Sequence, residues 1–158
     1  MKLSKRVFAF LFLAFMVLIV NNASVSAMQP VDGLAMLPVV KVPKDARCGA
    51  LWPTAVEAGW NLRDLTTLDY IMYRESKCNT KAFNGDDPMG GSVGLTQINM
   101  FWCKPNSSRK VGFLQSEKVL KMCTELFDPV TNLKAALTIF EYGESRYGKG
   151  SGFGPWNL

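Results

Sequence analysis

Glu75 is the residue on which chemistry in this chain can turn. It ends a segment whose apolar residues recur at helical spacing, and a Gly- and Asp-rich loop, Asn79 to Val93, follows it. An apolar segment carrying two amides, Gln97 and Asn99, closes the stretch before Cys103. A carboxyl at a helix end can give or take a proton, and amides facing it can grip hydroxyl groups. That combination suits a sugar-cleaving cleft. The chain contains no histidine. Ser-His-Asp and Cys-His nucleophile systems and histidine-ligated zinc hydrolases are therefore excluded, and acid–base work falls to carboxylates, Tyr or Lys.

The elements that must position Glu75 read as follows. Leu51 to Gly59 predicts a short helix, with Pro53 in its first turn and Gly59 at its end. Asn61 caps a longer helix from about Leu62 to Lys77, whose Leu62, Leu65, Leu68, Ile71 and Met72 form a buried stripe. Glu75 follows Ile71 by four and Met72 by three, which extends that stripe to a carboxylate. Burial there requires that the group be satisfied or neutral. The alternative is an ion pair with Arg74, Lys77 or another base at a fraying helix end.

Asn84-Gly85 signals a hairpin turn, and Gly90-Gly91 leaves the backbone permissive. Residues 94–102 read as a strand or a short buried helix, Lys104 to Phe113 as a polar loop, and Glu117 to Leu126 as helical. Asp128-Pro129 is an N-cap followed by proline at the first helical position. Val130, Leu133, Leu137 and Phe140 then pattern a helix to about Tyr147, stopped by Gly148. Several helices against one hairpin give an α+β class that is mainly helical.

The termini and composition set the context. Met1 to Arg6 is basic, Val7 to Val20 is an unbroken run of 14 apolar residues, and Val25-Ser26-Ala27 has small residues at the positions signal peptidase requires. Fourteen is short of the ~20 residues that span a bilayer, so residues 1–27 read as a secretory signal peptide. Residues 28–47, with Pro30, Pro38 and Pro43, read as a linker or a short packed strand. Residues 48–158 read as one domain. The chain has 18 Lys+Arg and 13 Asp+Glu. The leader holds three basic residues and no acids, leaving 15 against 13, net +2. Nucleic-acid binding wants a concentrated basic stripe, and none is present. Cys48, Cys78, Cys103 and Cys123 predict two disulfides in an exported chain. Three pairings are open, among them Cys48 with Cys78 and Cys103 with Cys123. No C-x-x-C pair supports a thiolate metal site, and no cofactor is indicated.

Taken together, Glu75-Ser76, then Ala82-Phe83-Asn84, then Gly94-Leu95-Thr96-Gln97-Ile98-Asn99 is similar to the lysozyme-like superfamily. That group includes soluble lytic transglycosylase domains and animal-type lysozymes. Asn99 to Cys103 resembles the segment after the amide motif in animal-type lysozymes. Leu126 to Leu133 resembles the D-P-x-x-N helix of the transglycosylase branch. The resemblance spans residues 48–156 and implies a helical body, a β-hairpin lobe and a cleft between them.

Carried over by position, Glu75 would be the general acid, and Gln97 and Asn99 would bond sugar hydroxyl or N-acetyl groups. Trp156, and with it Phe153, would line the cleft. Tyr142, before Gly143, is the nearest match to a tyrosine that contacts the acid in the transglycosylase branch, though the Asn of that motif is missing. Animal-type lysozymes place a second carboxylate where Ser92 stands here, and Asp86 or Asp87 upstream could replace it. The resemblance thus implies cleavage of the β-1,4 bond between N-acetylmuramic acid and N-acetylglucosamine in peptidoglycan, by single-Glu transglycosylation. Muramidase hydrolysis through Asp86 or Asp87, and glycan binding without turnover, are the alternatives. The expected protein is a secreted or periplasmic monomer, free of the membrane after cleavage, with glycan strands as its partner.

Signal cleavage after Ala27 should give an exported product whose N-terminal sequencing begins at Met28. A start before residue 20 would exclude it.

Overall fold

The computed structural model describes residues 40–158. The expected signal peptide, and residues 28–39 of the expected linker, lie outside the described residues. Residues 40–47 run without regular structure along the helical body: Val40 and Ala46 pack on the core, and the Arg47 guanidinium lies 4.6 Å from the centre of the Tyr73 ring.

Among the described residues four α-helices carry the body: α1 (Trp52–Glu57), α2 (Leu65–Ser76), α3 (Phe113–Ser116) and α4 (Pro129–Tyr147). Short 3-10 turns lead into or link them at Gly49–Leu51, Leu62–Asp64, Met100–Trp102, Cys123–Phe127 and Gly154–Trp156. Three two-residue strands, β1 (Phe83–Asn84), β2 (Ser92–Val93) and β3 (Ile98–Asn99), form one antiparallel sheet in the order β1-β2-β3. Ser92 pairs with Asn84 on one side and Asn99 on the other. The class is α+β and mainly helical, as the pattern of residues indicates.

Local chemistry explains most boundaries. The Asn61 side chain accepts from the Arg63 amide and caps the 3-10 turn that leads into α2. This turn splits off the start of the expected 62–77 helix and leaves Leu62 exposed rather than buried. The buried face of α2 is Leu65, Leu68, Asp69, Ile71, Met72 and Ser76. Glu75 therefore stands one position off that face, not on it. Asp69 is buried because its carboxylate accepts from the Arg47 and Cys48 amides and the Trp52 indole, each at 2.9 Å. Hydrophobic spacing marks apolar positions only, so it passed over this satisfied carboxylate.

Beyond Glu75 the chain turns sharply. Lys77 (φ 54) and Cys78 (φ 63) are both left-handed, a costly conformation away from glycine. The Cys48–Cys78 disulfide holds this corner against the start of the domain. The second disulfide joins Cys103 to Cys123, so of the three open pairings this is the one formed. The span 117–126 is not helical as expected. Lys118 is left-handed at φ 60, and only a 3-10 turn forms, with Glu125 accepting from the Lys121 and Met122 amides. The Asn84-Gly85 signal marks the hairpin, but the reversal is a seven-residue loop, 85–91, rather than a two-residue turn.

Helix α4 begins as its sequence requires, with the Asp128 carboxylate accepting from the Thr131 amide at 2.8 Å. That bond holds the Asp128 pKa below its ordinary value. The buried face of α4 is rotated from the expected one: Asn132, Leu133, Ala135, Ala136, Ile139 and Gly143 are buried, while Val130, Leu137 and Phe140 are half-buried. Small residues allow close approach here, and a Cβ on Gly143 would lie 3.0 Å from the Ser151 carbonyl.

Asn132 is the buckle between lobes. Its Oδ1 accepts from the Thr96 amide (3.0 Å) and hydroxyl (2.9 Å), while its Nδ2 donates to the Val93 (2.9 Å) and Leu126 (3.0 Å) carbonyls. Asn132→Ala should cost ~3 kcal/mol, because several polar groups are left unpaired in a dry interior. Chemical denaturation checks this. Asp128→Ala, at an exposed cap, should cost ~0.5–1 kcal/mol. Because its folded pKa is lowered, the Asp128 contribution is present above the ordinary carboxyl range and is lost as pH falls below it. The gap between wild type and Asp128→Ala should therefore close in acid, as denaturation at graded pH reads directly.

Candidate active site

A cleft of about 330 Å³ opens where the end of α2, the sheet and the C-terminal tail meet. Glu75, Ser92, Gln97, Asn99 and Trp156 all border it, drawn together from positions spread over 82 residues. Asp87 borders it as well. Asp86 and Tyr142 stand outside it. Asp86 is exposed in the 85–91 loop, and Tyr142 packs edge-on against Trp102 (5.8 Å) and Phe113 (5.1 Å), bordering a neighbouring cavity. Phe153 is also displaced from the cleft, stacking on Trp60 and packing edge-on against Phe140 in the core.

The surroundings of Glu75 differ from the apolar seat that helical spacing implied. Its side chain is 26% exposed and ion-paired with Arg74. Arg74 Nε and a terminal nitrogen donate to Glu75 Oε1 at 2.9 and 2.7 Å, and that terminal nitrogen also donates to the Trp156 carbonyl. The bond to Glu75 is the main cause that raises the Arg74 pKa above its ordinary value. The bland alternative, a pair between neighbours, is thus the contact that forms, and it forms inside the cleft.

The amides across from Glu75 are set by a tight turn, Gly94 to Gln97. Gly94 (φ +77) must be glycine, since a Cβ would run into Asn132 and the Leu126 carbonyl. Gln97 is left-handed (φ 48), and its Nε2 donates back to the Gly94 carbonyl at 2.9 Å. Gln97 Oε1 accepts no hydrogen bond from the described residues. Asn99 is engaged on both sides: its Oδ1 accepts from the Phe101 amide, and its Nδ2 donates to the Pro88 carbonyl (3.0 Å) and Ser92 Oγ (3.4 Å). It caps the next turn and pins the 85–91 loop to the sheet. Asp87, on that loop, accepts from Asn84 Nδ2 at 2.9 Å.

Trp156 belongs to the core and to the cleft at once. The ring is 6% exposed and its indole nitrogen donates to the Thr96 carbonyl at 2.8 Å, yet it forms part of the cleft wall. Sequence reasoning missed Trp102 and Asn157 as cleft residues and treated Arg74 only as a possible base. Asn157 gave no signal, since its place depends on a left-handed backbone (φ 56) after a 3-10 turn. Trp102 lies within the Asn99 to Cys103 segment, which was the one available pointer.

In chemical terms the cleft offers one carboxyl flanked by a cation, the amides of Gln97 and Asn157, parts of the Trp102 and Trp156 side chains, and a second carboxylate on the opposing loop. A family model described as a lysozyme-like domain matches residues 53–157 of this chain. No curated protein and no solved structure matches it. Among the described residues no helix is long and apolar enough to cross a membrane. The two disulfides fit an oxidising extracellular or periplasmic setting.

Proposed function

Because the chain belongs to the lysozyme-like domain family, we propose that it cleaves peptidoglycan glycan strands at the β-1,4 bond between N-acetylmuramic acid and N-acetylglucosamine. The reaction is lytic transglycosylation, with Glu75 as its single catalytic carboxyl, and the enzyme acts as an exported monomer. The observation that carries this reading is that Glu75 and the Gln97 turn share one cleft while Ser92 occupies the central strand where a second carboxylate would stand.

In the proposed step Glu75, protonated, gives its proton to the glycosidic oxygen as the bond to the anomeric carbon breaks. The substrate's own N-acetyl oxygen bonds to that carbon from the opposite face, which replaces a protein nucleophile. The Glu75 carboxylate then takes the proton of the muramic-acid 6-hydroxyl. That oxygen attacks the anomeric carbon, displaces the N-acetyl oxygen and closes an anhydro ring. Gln97 Oε1 accepts from a sugar hydroxyl, and the Trp156 ring offers an apolar face to a sugar. Asn99 and Ser92 act by holding the 85–91 loop at the cleft edge, in keeping with their internal hydrogen bonds.

A second reading rests on Asp87, which borders the same cleft. There it would act as the second carboxylate of a muramidase, and water would take the place of the 6-hydroxyl.

Glu75→Gln should keep the fold and lower turnover of purified peptidoglycan by a factor of 10² or more, the low end of what general acid catalysis supplies being about that size. Near-wild-type clearance would remove Glu75 from the mechanism. Mass analysis of products separates the readings. Anhydro ends mean transglycosylation, whereas reducing ends lost in Asp87→Asn mean hydrolysis.

A further inference from the structure

Arg74 is the cation of the cleft, and it is restrained from three directions. Its guanidinium lies 5.6 Å from the centre of the Tyr70 ring on the preceding turn of α2. Two of its nitrogens converge on Glu75 Oε1, and one of these also reaches the Trp156 carbonyl, 82 residues away. Adjacent residues on a helix do not naturally face each other, so Arg74 must fold back to make this contact. Beyond Trp156 the connection continues. The indole donates to the Thr96 carbonyl, and Thr96 is bonded to Asn132. Hydrogen bonds relayed through Trp156, entering at its backbone carbonyl and leaving from its indole, thus join the carboxyl of Glu75 to the turn that carries Gln97.

Arginine has five N–H donors and no acceptor. An oxygen that receives two of those donors cannot itself present a proton to them. The carbonyl oxygen of a carboxylic acid is a better acceptor than its hydroxyl oxygen. Two donors converging on Oε1 therefore favour Oε1 as the carbonyl oxygen of a protonated Glu75 and Oε2 as the oxygen that carries the proton. No described residue donates to Oε2. Taking Glu75 as the acid, we infer that Arg74 is a positioning residue: it selects the oxygen of Glu75 that carries the transferable proton and ties that choice to the C-terminal wall of the cleft. Among the described residues the other charged side chain bordering the cleft is Asp87, on the opposing loop; those from the sheet, α4 and the tail are uncharged.

The test uses Arg74→Ala and Arg74→Lys in the full chain, assayed on soluble peptidoglycan oligosaccharides beside Glu75→Gln, with near-UV circular dichroism confirming each fold. Arg74→Ala should lower kcat roughly 100-fold, the scale of a small misplacement at the reacting atoms, with KM held within about twofold because ground-state binding is untouched. Added guanidinium should restore part of that rate, whereas tetramethylammonium, a cation without N–H donors, should not. Arg74→Lys keeps the charge without the planar fork and should also lose kcat at constant KM.

Wild-type kcat in folded Arg74→Ala overturns the inference. So does a raised KM at unchanged kcat, which would make Arg74 a substrate contact. Should Arg74→Ala lose its fold, Arg74→Lys carries the test, and wild-type turnover in it overturns the role of the fork. If Glu75→Gln is silent while Arg74→Ala runs at full rate, this inference alone fails. If Glu75→Gln turns over normally, the assignment of the acid fails and takes the inference with it.

Discussion

The fold depends on one buried carboxamide. Asn132 has no exposed surface, and its two ends meet the sheet, the Gly94–Gln97 turn and the 3-10 segment before α4 at once. Few other side chains could serve. A carboxylate lacks donors for the Val93 and Leu126 carbonyls, and an aliphatic residue would leave all of these groups unpaired in a region that water does not reach. Because Gly94 has no Cβ, the amide approaches close enough to make all four bonds. The small lobe is too short to hold its own shape, with three strands of two residues each. Its register is therefore imposed from α4.

That dependence reaches the cleft. Gln97 and Asn157 border it in left-handed backbone conformations, and Met89 adopts another on the adjoining loop. Such conformations cost free energy and persist only where neighbours over-determine them. Asn132 fixes Thr96 beside Gln97, and the Trp156 indole fixes the tail against the same residue. Most of the amide capacity in this region is consequently directed inward. Asn99 braces a loop rather than projecting its groups outward, and the polar groups left to a ligand include one oxygen of Glu75, one of Gln97, Asp87 and the exposed side chain of Asn157.

The contrast between Glu75 and Asp69 shows how hydrophobic spacing misleads for carboxylates. Spacing placed Glu75 on the buried stripe and gave no hint of Asp69. In three dimensions Asp69 is buried, satisfied by three donors. Glu75 is half-buried and held by Arg74. The rule that a buried charge needs partners holds at both positions, but the partners of Asp69 lie 17 to 22 residues upstream and are invisible to a local pattern. The same limit misplaced the buried face of α4. Large residues advertised one side, while close packing selected the side bearing Asn132, Ala135, Ala136 and Gly143. The non-helical 117–122 segment failed for a related reason, since its local pattern could not foresee that Lys118 is left-handed and Cys123 is tethered to Cys103.

By itself, the order of residues determined the α+β class, the caps at Asn61 and Asp128, and the expectation of two disulfides. Those features follow from short-range chemistry or from motifs carried within a few residues. Only the tertiary structure decided which cysteines join, that Asp87 rather than Asp86 borders the cleft, that Tyr142 is turned away from it, and that Arg74 links the carboxyl to the tail. Each of these is a contact between segments distant along the chain. Such contacts are chosen by how the lobes pack and not by the local preference of either partner.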